Sequence, residues 1–154
     1  MKHLIDEYKE SYNKMVTEIE VLTEEQFLYK PYENSWSIRE IIIHVTDAEL
    51  VHVHRMKSVL SENNPILTAF DQDAWTCKLQ TQSLDHRLYL SLLKAIIDSF
   101  IPILNKLGED DFLRVGTHNV EGEFTFKELL VHSIEHIQNH VEQIRKIKKV
   151  FVKI

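Results

Sequence analysis

Apolar residues recur three and four positions apart in four long stretches of this chain, the spacing that puts them on one face of an α-helix. The first stretch runs from about Leu4 to Leu22, with Leu4, Ile5, Tyr8, Tyr12, Met15, Ile19 and Leu22 on its stripe. Thr23-Glu24-Glu25-Gln26 follows with the form of a capping box, a hydroxyl answered three residues later by a carboxamide, and predicts a short helical turn that Pro31 ends. A second box, Ser37-Ile38-Arg39-Glu40, opens a helix that reaches about Leu60 on a stripe of Ile38, Ile41, Ile42, Val45, Met56, Val59 and Leu60. Ser83-Leu84-Asp85-His86 starts the third long helix, which continues through Leu88, Leu92, Leu93, Ile96, Ile97 and Phe100 to about Leu107, bends at Pro102 and closes at Gly108. Thr125-Phe126-Lys127-Glu128 is a third box, and its helix runs to about Phe151 on Leu130, Ile134, Ile137, Val141 and Ile144.

Between Ser61 and Gln82 the periodicity fails, which predicts a long connection with at most a helical turn. Val115 to Phe124, with Gly116 and Gly122, reads as a loop or small hairpin. Only three glycines and three prolines occur in 154 residues, too few for a fold built from many tight turns. The expectation is a single all-α domain over residues 1–154: a four-helix bundle with a long crossover that lets its third helix run parallel to its second.

Charge and cysteine content narrow the partners. The net charge is −6 and no basic stripe is interleaved with aromatic residues, which argues against nucleic acid. The most apolar stretches are interrupted by polar residues, so no membrane span is expected. The first residues lack an apolar signal core, and the single Cys77 has no internal partner, so a reducing cytoplasm is the expected compartment.

The candidate chemistry lies in nine histidines, three of which, His132, His136 and His140, fall four apart on the last helix. An H-x-x-x-H pair on a helix can aim two imidazole nitrogens at one divalent cation. The stripe is about 12 Å long at 1.5 Å per residue, so all three cannot reach one ion, and a third ligand is sought on another helix. His44, early in the second helix, is the best placed. On a helical wheel it sits roughly 100° from its apolar stripe, and His136 and His140 roughly 80 to 120° from theirs, flank positions where two helices meet.

Three runs occur in order: Trp36-Ser37-x-Arg39-Glu40 followed by His44, Asp47, Ala48 and Glu49; Gly122-x-x-Thr125-x-x-Glu128-Leu129-Leu130; and His136-x-x-x-His140-x-x-Gln143-Ile144. With them the chain resembles the DinB/YfiT-like superfamily over nearly its whole length. That resemblance implies a four-helix bundle with the crossover expected above. It also implies a divalent metal, zinc or nickel, held by the helix-two histidine and the helix-four pair, which here are His44, His136 and His140. Some members of that superfamily are thiol-dependent transferases or isomerases using a low-molecular-weight thiol, and others are described as metal-dependent hydrolases acting on small molecules. Three neutral imidazoles leave a zinc ion its full charge and an open position, enough to bring the pKa of a bound water to about 7 or to deprotonate a thiol.

Several residues carry competing readings. Glu49 falls near the middle of the helix-two stripe and is either a helix–helix hydrogen bond, a partner orienting a ligand histidine, or a general base. His132, one turn before the pair, is a neighbour able to hold a ligand or substrate or act as the base, or else to replace His136 or His140 as a metal ligand. Asp47 reads as a solvated carboxylate and His118 as a plain loop histidine, while His3, His54 and His86 read as surface residues. Glu49-x-x-His52 is half of a di-iron bundle signature, but the last helix offers Glu135-x-x-Gln138 and not the second half. Trp36 and Trp75 read as packing anchors, with the Trp75 loop a candidate pocket wall. No nucleophile or acid/base pair stands out. A non-enzymatic bundle, a stress-linked binding protein with a structural metal or none, is therefore the alternative to a metal-dependent enzyme. A homodimer is expected from bundles of this size.

Overall fold

A computed structural model describes residues 1–151, and the last three residues of the expected domain lie outside that range. Six α-helices run in the order α1 (Lys2–Ile19), α2 (Glu24–Leu28), α3 (Ile38–Ser61), α4 (Gln72–Lys78), α5 (His86–Leu104) and α6 (Phe126–Phe151). The four long ones, α1, α3, α5 and α6, are the bundle, and the segment between α3 and α5 is the crossover.

The three capping boxes form as read. Thr23, Ser37 and Thr125 each accept the backbone N–H three residues on, and Gln26, Glu40 and Glu128 return a bond to the cap N–H. Asp85 caps α5 by accepting from the Arg87 N–H. The core is continuous from Tyr8 and Met15 of α1 through Ile38, Ile41 and Met56 of α3 and Phe100 of α5 to Leu130, Ile137 and Ile144 of α6.

Four sequence expectations need correction. First, α3 has no solvated face over its first turns. Residues 38 to 49 are buried with only Arg39 part-exposed, because α2, α5 and α6 pack against the helix and Tyr8 of α1 reaches Glu49. His44 is therefore only 2% exposed, and Asp47 is buried at 8% where a solvated carboxylate was expected.

Second, the crossover is structured. It contains strand β1 (Ile66–Leu67), α4 and a 3-10 turn over Thr81–Ser83. β1 pairs parallel to β2 (Val115–His118), which pairs antiparallel to β3 (Gly122–Thr125), so the expected hairpin becomes part of a three-stranded sheet. Third, α1 stops at Ile19 and α5 at Leu104, three residues short in each case, and Gly108 begins the 3-10 helix Glu109–Leu113 without closing α5. Fourth, His86 is buried, its ring stacked 4.0 Å from that of Phe27 in α2.

Gln82 fastens the end of the crossover to the start of α3. Its side chain accepts from the Ser37 hydroxyl at 2.5 Å and donates to the Leu28 carbonyl at 2.9 Å, while Arg39 donates to its backbone carbonyl. The end of α3 that carries His44 is thus held at its cap by both neighbouring segments. No helix among the described residues is long and apolar enough to cross a membrane.

Candidate metal centre

α3 and α6 pack in opposite directions. His44 of α3 lies against His136 and His140, Glu49 against Ser133, and His52 against His132 and His136. The wheel positions that set imidazoles beside the apolar stripes thus generate a polar seam between the two helices.

Within that seam His44, His136 and His140 each offer a ring nitrogen, and these atoms lie within 4.8 Å of one another. Ring centroids are 5.0 Å apart for His44 and His136, 4.7 Å for His44 and His140, and 4.6 Å for His136 and His140. The two Nε2 atoms of His44 and His136 approach to 3.0 Å. The three rings are mutually tilted, with interplanar angles of 64° to 72°.

All three imidazoles are biased towards the neutral form, which has a lone pair to give. Burial, reinforced by the neighbouring charges of His140 and His52, pushes His44 down to about 3. Burial, with the other four imidazoles of the seam, pushes His136 down to about 2. His140 is lowered by burial, against the pull of the hydrogen bond it donates to Gln143. That bond, 2.8 Å from His140 Nδ1 to Gln143 Oε1, makes Nδ1 the donor and leaves Nε2 unprotonated and facing the other two rings. His136 Nδ1 is buried without a partner. These residues fit a divalent transition metal: three neutral nitrogen donors at converging positions, with one tautomer fixed from behind.

Aromatic side chains close in on the triad. Trp36, just before the α3 cap, lies 4.7 Å from the His44 ring and stacks over His140 at 6.3 Å and 17°. From the crossover, Phe70 stacks against His44 at 6.2 Å and is itself met edge-on by Trp75. The crossover therefore does wall the centre, through Phe70, with Trp75 one layer further out.

The remaining candidates fall elsewhere. Glu49 is fully buried and accepts from the Tyr8 hydroxyl at 2.5 Å and the Ser133 hydroxyl at 2.7 Å, so it joins α1, α3 and α6. His132 is exposed, with its ring 6.4 Å from that of His136 and outside the triad. His118 is buried on β2, where its Nδ1 accepts from the Val120 and Glu121 N–H groups at 3.4 and 3.2 Å and ties the β2–β3 turn. His3 and His54 are exposed as expected, and Cys77 is a free, exposed thiol. Sequence reasoning named Gln143 only as part of the terminal motif, weighed His52 only as half of a di-iron signature, and gave no role to Phe70. Gln143 had a signal, since a residue three after a helical histidine lies within reach of its ring; Phe70 had none.

Comparison with known proteins gives the chain its family and its fold. The model of the DinB superfamily matches residues 7–144. A protein of Oceanobacillus iheyensis named provisionally as a metal-dependent hydrolase is 25% identical over 133 residues, 86% of this chain and 76% of its own. YfiT of Bacillus subtilis, which carries the same provisional name, is 25% identical over 138 residues, 88% of this chain and 77% of its own. The structure of YfiT, described as a probable metal-dependent hydrolase with an unusual four-helix bundle topology, superposes with a TM-score of 0.91 at 22% identity. The match covers 97% of this chain and 86% of that one. A DinB-like protein of Bacillus subtilis superposes with a TM-score of 0.66 at 18% identity, over 96% of this chain and 91% of that one.

Proposed function

We propose, from the premise that the chain belongs to the DinB superfamily, that it is a divalent-metal-dependent enzyme acting on a small molecule, with His44, His136 and His140 as the metal ligands. Zinc is the first choice of metal and nickel the second, since imidazole suits both. The observation that carries the reading is the convergence of three neutral imidazole nitrogens from α3 and α6 within 4.8 Å.

A divalent ion held there would supply an undiminished positive charge that acidifies a water or a thiol and polarises an electrophile. The protein's own part is positional. The α3 and α6 caps fix the two helices, Gln143 holds the His140 ring in one tautomer, and Trp36 and Phe70 shield the centre with apolar rings. Three neutral ligands leave room for a fourth, and two reactions share that requirement. One is hydrolysis, the activity in the names of the relatives; the other is transfer of a low-molecular-weight thiol to an electrophilic substrate.

Metal analysis of tag-free protein tests the ligand set. About one zinc or nickel per chain is expected, retained on dialysis, and lost in His44→Ala, His136→Ala and His140→Ala variants but not in His54→Ala. Wild-type protein without stoichiometric metal, even after loading with zinc or nickel, would refute the reading. In cobalt-substituted protein, added thiol should produce a thiolate-to-cobalt absorption band if transfer is the reaction, and only hydrolytic turnover should be seen if it is not.

A further inference from the structure

Behind the His140 ring lies a surface groove of about 350 Å³. Its walls are Tyr32 and Trp36 from the loop before α3, and Gln143, Lys146, Ile147 and Val150 on α6. Two of these walls are shared with the centre, because Trp36 stacks over His140 and Gln143 hydrogen-bonds it.

The lining is mainly aromatic and aliphatic, with Ser35 and Gln143 as its neutral polar members and Lys146 as its one formal charge. Of the other cations on this stretch of α6, Arg145 and Lys148 both pair with Glu18, and Lys149 does not line the groove. Lys146 is exposed and has no acidic partner among the described residues. Tyr32 is 80% exposed, an aromatic ring left uncovered on the groove's rim. The volume is at the lower end of small-molecule sites, which run from roughly 300 to 1,000 Å³, and suits a body of one or two fused rings.

We infer that this groove is the binding subsite for the non-reacting part of the substrate, and that it takes an aromatic or similarly flat apolar body bearing an anionic group, seated between Tyr32 and Trp36 with the anion at Lys146. Flat apolar rings suit the aromatic walls, and an unpaired ammonium beside them selects an anion over a neutral or cationic analogue. The subsite deepens the metal-dependent reading, since its occupant would approach the centre through the walls they share. Its binding is nevertheless a property of the groove and is measurable without metal.

The test uses the full chain with Trp75→Phe, so that Trp36 is the one tryptophan left to report. Quenching of its fluorescence is titrated with 2-naphthoate, 2-naphthalenemethanol and 2-naphthylmethylamine, in zinc-loaded and chelator-treated protein. Saturable quenching by naphthoate is expected in both forms, with the alcohol weaker and the amine weakest. Lys146→Gln should weaken naphthoate by about fivefold and leave the alcohol within twofold, and Lys146→Glu should invert the order of acid and amine. Lys94→Gln, on α5, controls for net charge and should change nothing.

The inference is overturned if no probe saturates, if acid and alcohol bind alike and ignore Lys146, or if naphthoate binding disappears on chelation, which would place its carboxylate on the metal. It is equally overturned if Trp36 emission depends on protein concentration and the probes fail to bind, which would make a second copy of the chain the occupant. Probe binding in protein that cannot be loaded with zinc or nickel would sink the metal reading alone; metal loading without probe binding would sink this one alone.

Discussion

At the scale of single residues, two side chains that are not ligands define the seam between α3 and α6. Gln143 accepts from His140 Nδ1 and so decides which nitrogen faces the other rings. Gln143→Leu keeps the volume and removes the acceptor, and it should weaken metal binding by about 10- to 100-fold in competition against a chromophoric chelator. The melting temperature of metal-free protein should stay close to wild type. Gln143→Glu keeps an acceptor and should retain wild-type affinity or exceed it; equal loss in both variants would mean that Gln143 acts through packing. Glu49 is the opposite case, a buried group whose work is structural. Glu49→Ala strands the Tyr8 and Ser133 hydroxyls without their acceptor and should cost about 2 to 5 kcal/mol in urea unfolding. A variant within 0.5 kcal/mol of wild type would show that the three helices are joined by other means. The burial of Glu49 was legible from its place on the apolar stripe; its partners were not, since Tyr8 and Ser133 lie 41 and 84 residues away along the chain.

Among the elements, those that announce themselves locally were readable and those defined by distant pairing were not. The three boxes and the four apolar stripes carry their own signals within a few residues, and helix starts fell where the boxes placed them. β1 is two residues long and exists because Ile66 and Leu67 pair with Thr117 and His118, about fifty positions on, which no local pattern encodes. The burial of His86 likewise depends on Phe27, a residue of another element. The same pairing fixes Gly116. A β-carbon there would lie 2.8 Å from Val59 Cγ2 and 3.1 Å from Leu67 Cδ1, so β2 sits directly on α3 and β1 with no room for a methyl group. Gly116→Ala should therefore destabilise the protein by about 1 to 3 kcal/mol. It should also raise hydrogen exchange at the Thr117 and Asn119 amides, which bond to Pro65 and Leu67 of the crossover. Unchanged exchange at those two amides would mean that the sheet does not hold the crossover to the bundle.

For the molecule as a whole, gathering neutral imidazoles into one seam makes its stability depend on pH. In the unfolded chain a histidine takes up its proton near 6.5, whereas in the folded one His44 does so only near 3 and His136 only near 2. Between these values the unfolded chain binds more protons, so stability is fully present above about pH 6.5 and falls as the pH falls. Each histidine contributes a slope of up to about 1.4 kcal/mol per pH unit. Asp47 acts in the other direction: burial raises it from 3.8 to about 6, so its contribution is complete below 3.8 and is lost as the pH rises through 6. One carboxyl cannot offset two histidines, and His86, His132 and His140 are lowered as well. Metal-free protein should therefore lose stability steadily from pH 6.5 to pH 4.5 in urea titrations, with a shallower slope in a His44→Gln, His136→Gln double variant. At pH 7.5 a metal present at a hundred times its dissociation constant should add about 2.7 kcal/mol to the wild type and nothing to the double variant. A metal-free wild type whose stability is flat across that interval would mean that His44 and His136 are solvated in the folded protein, and the neutral donor set on which the metal reading stands would go with them.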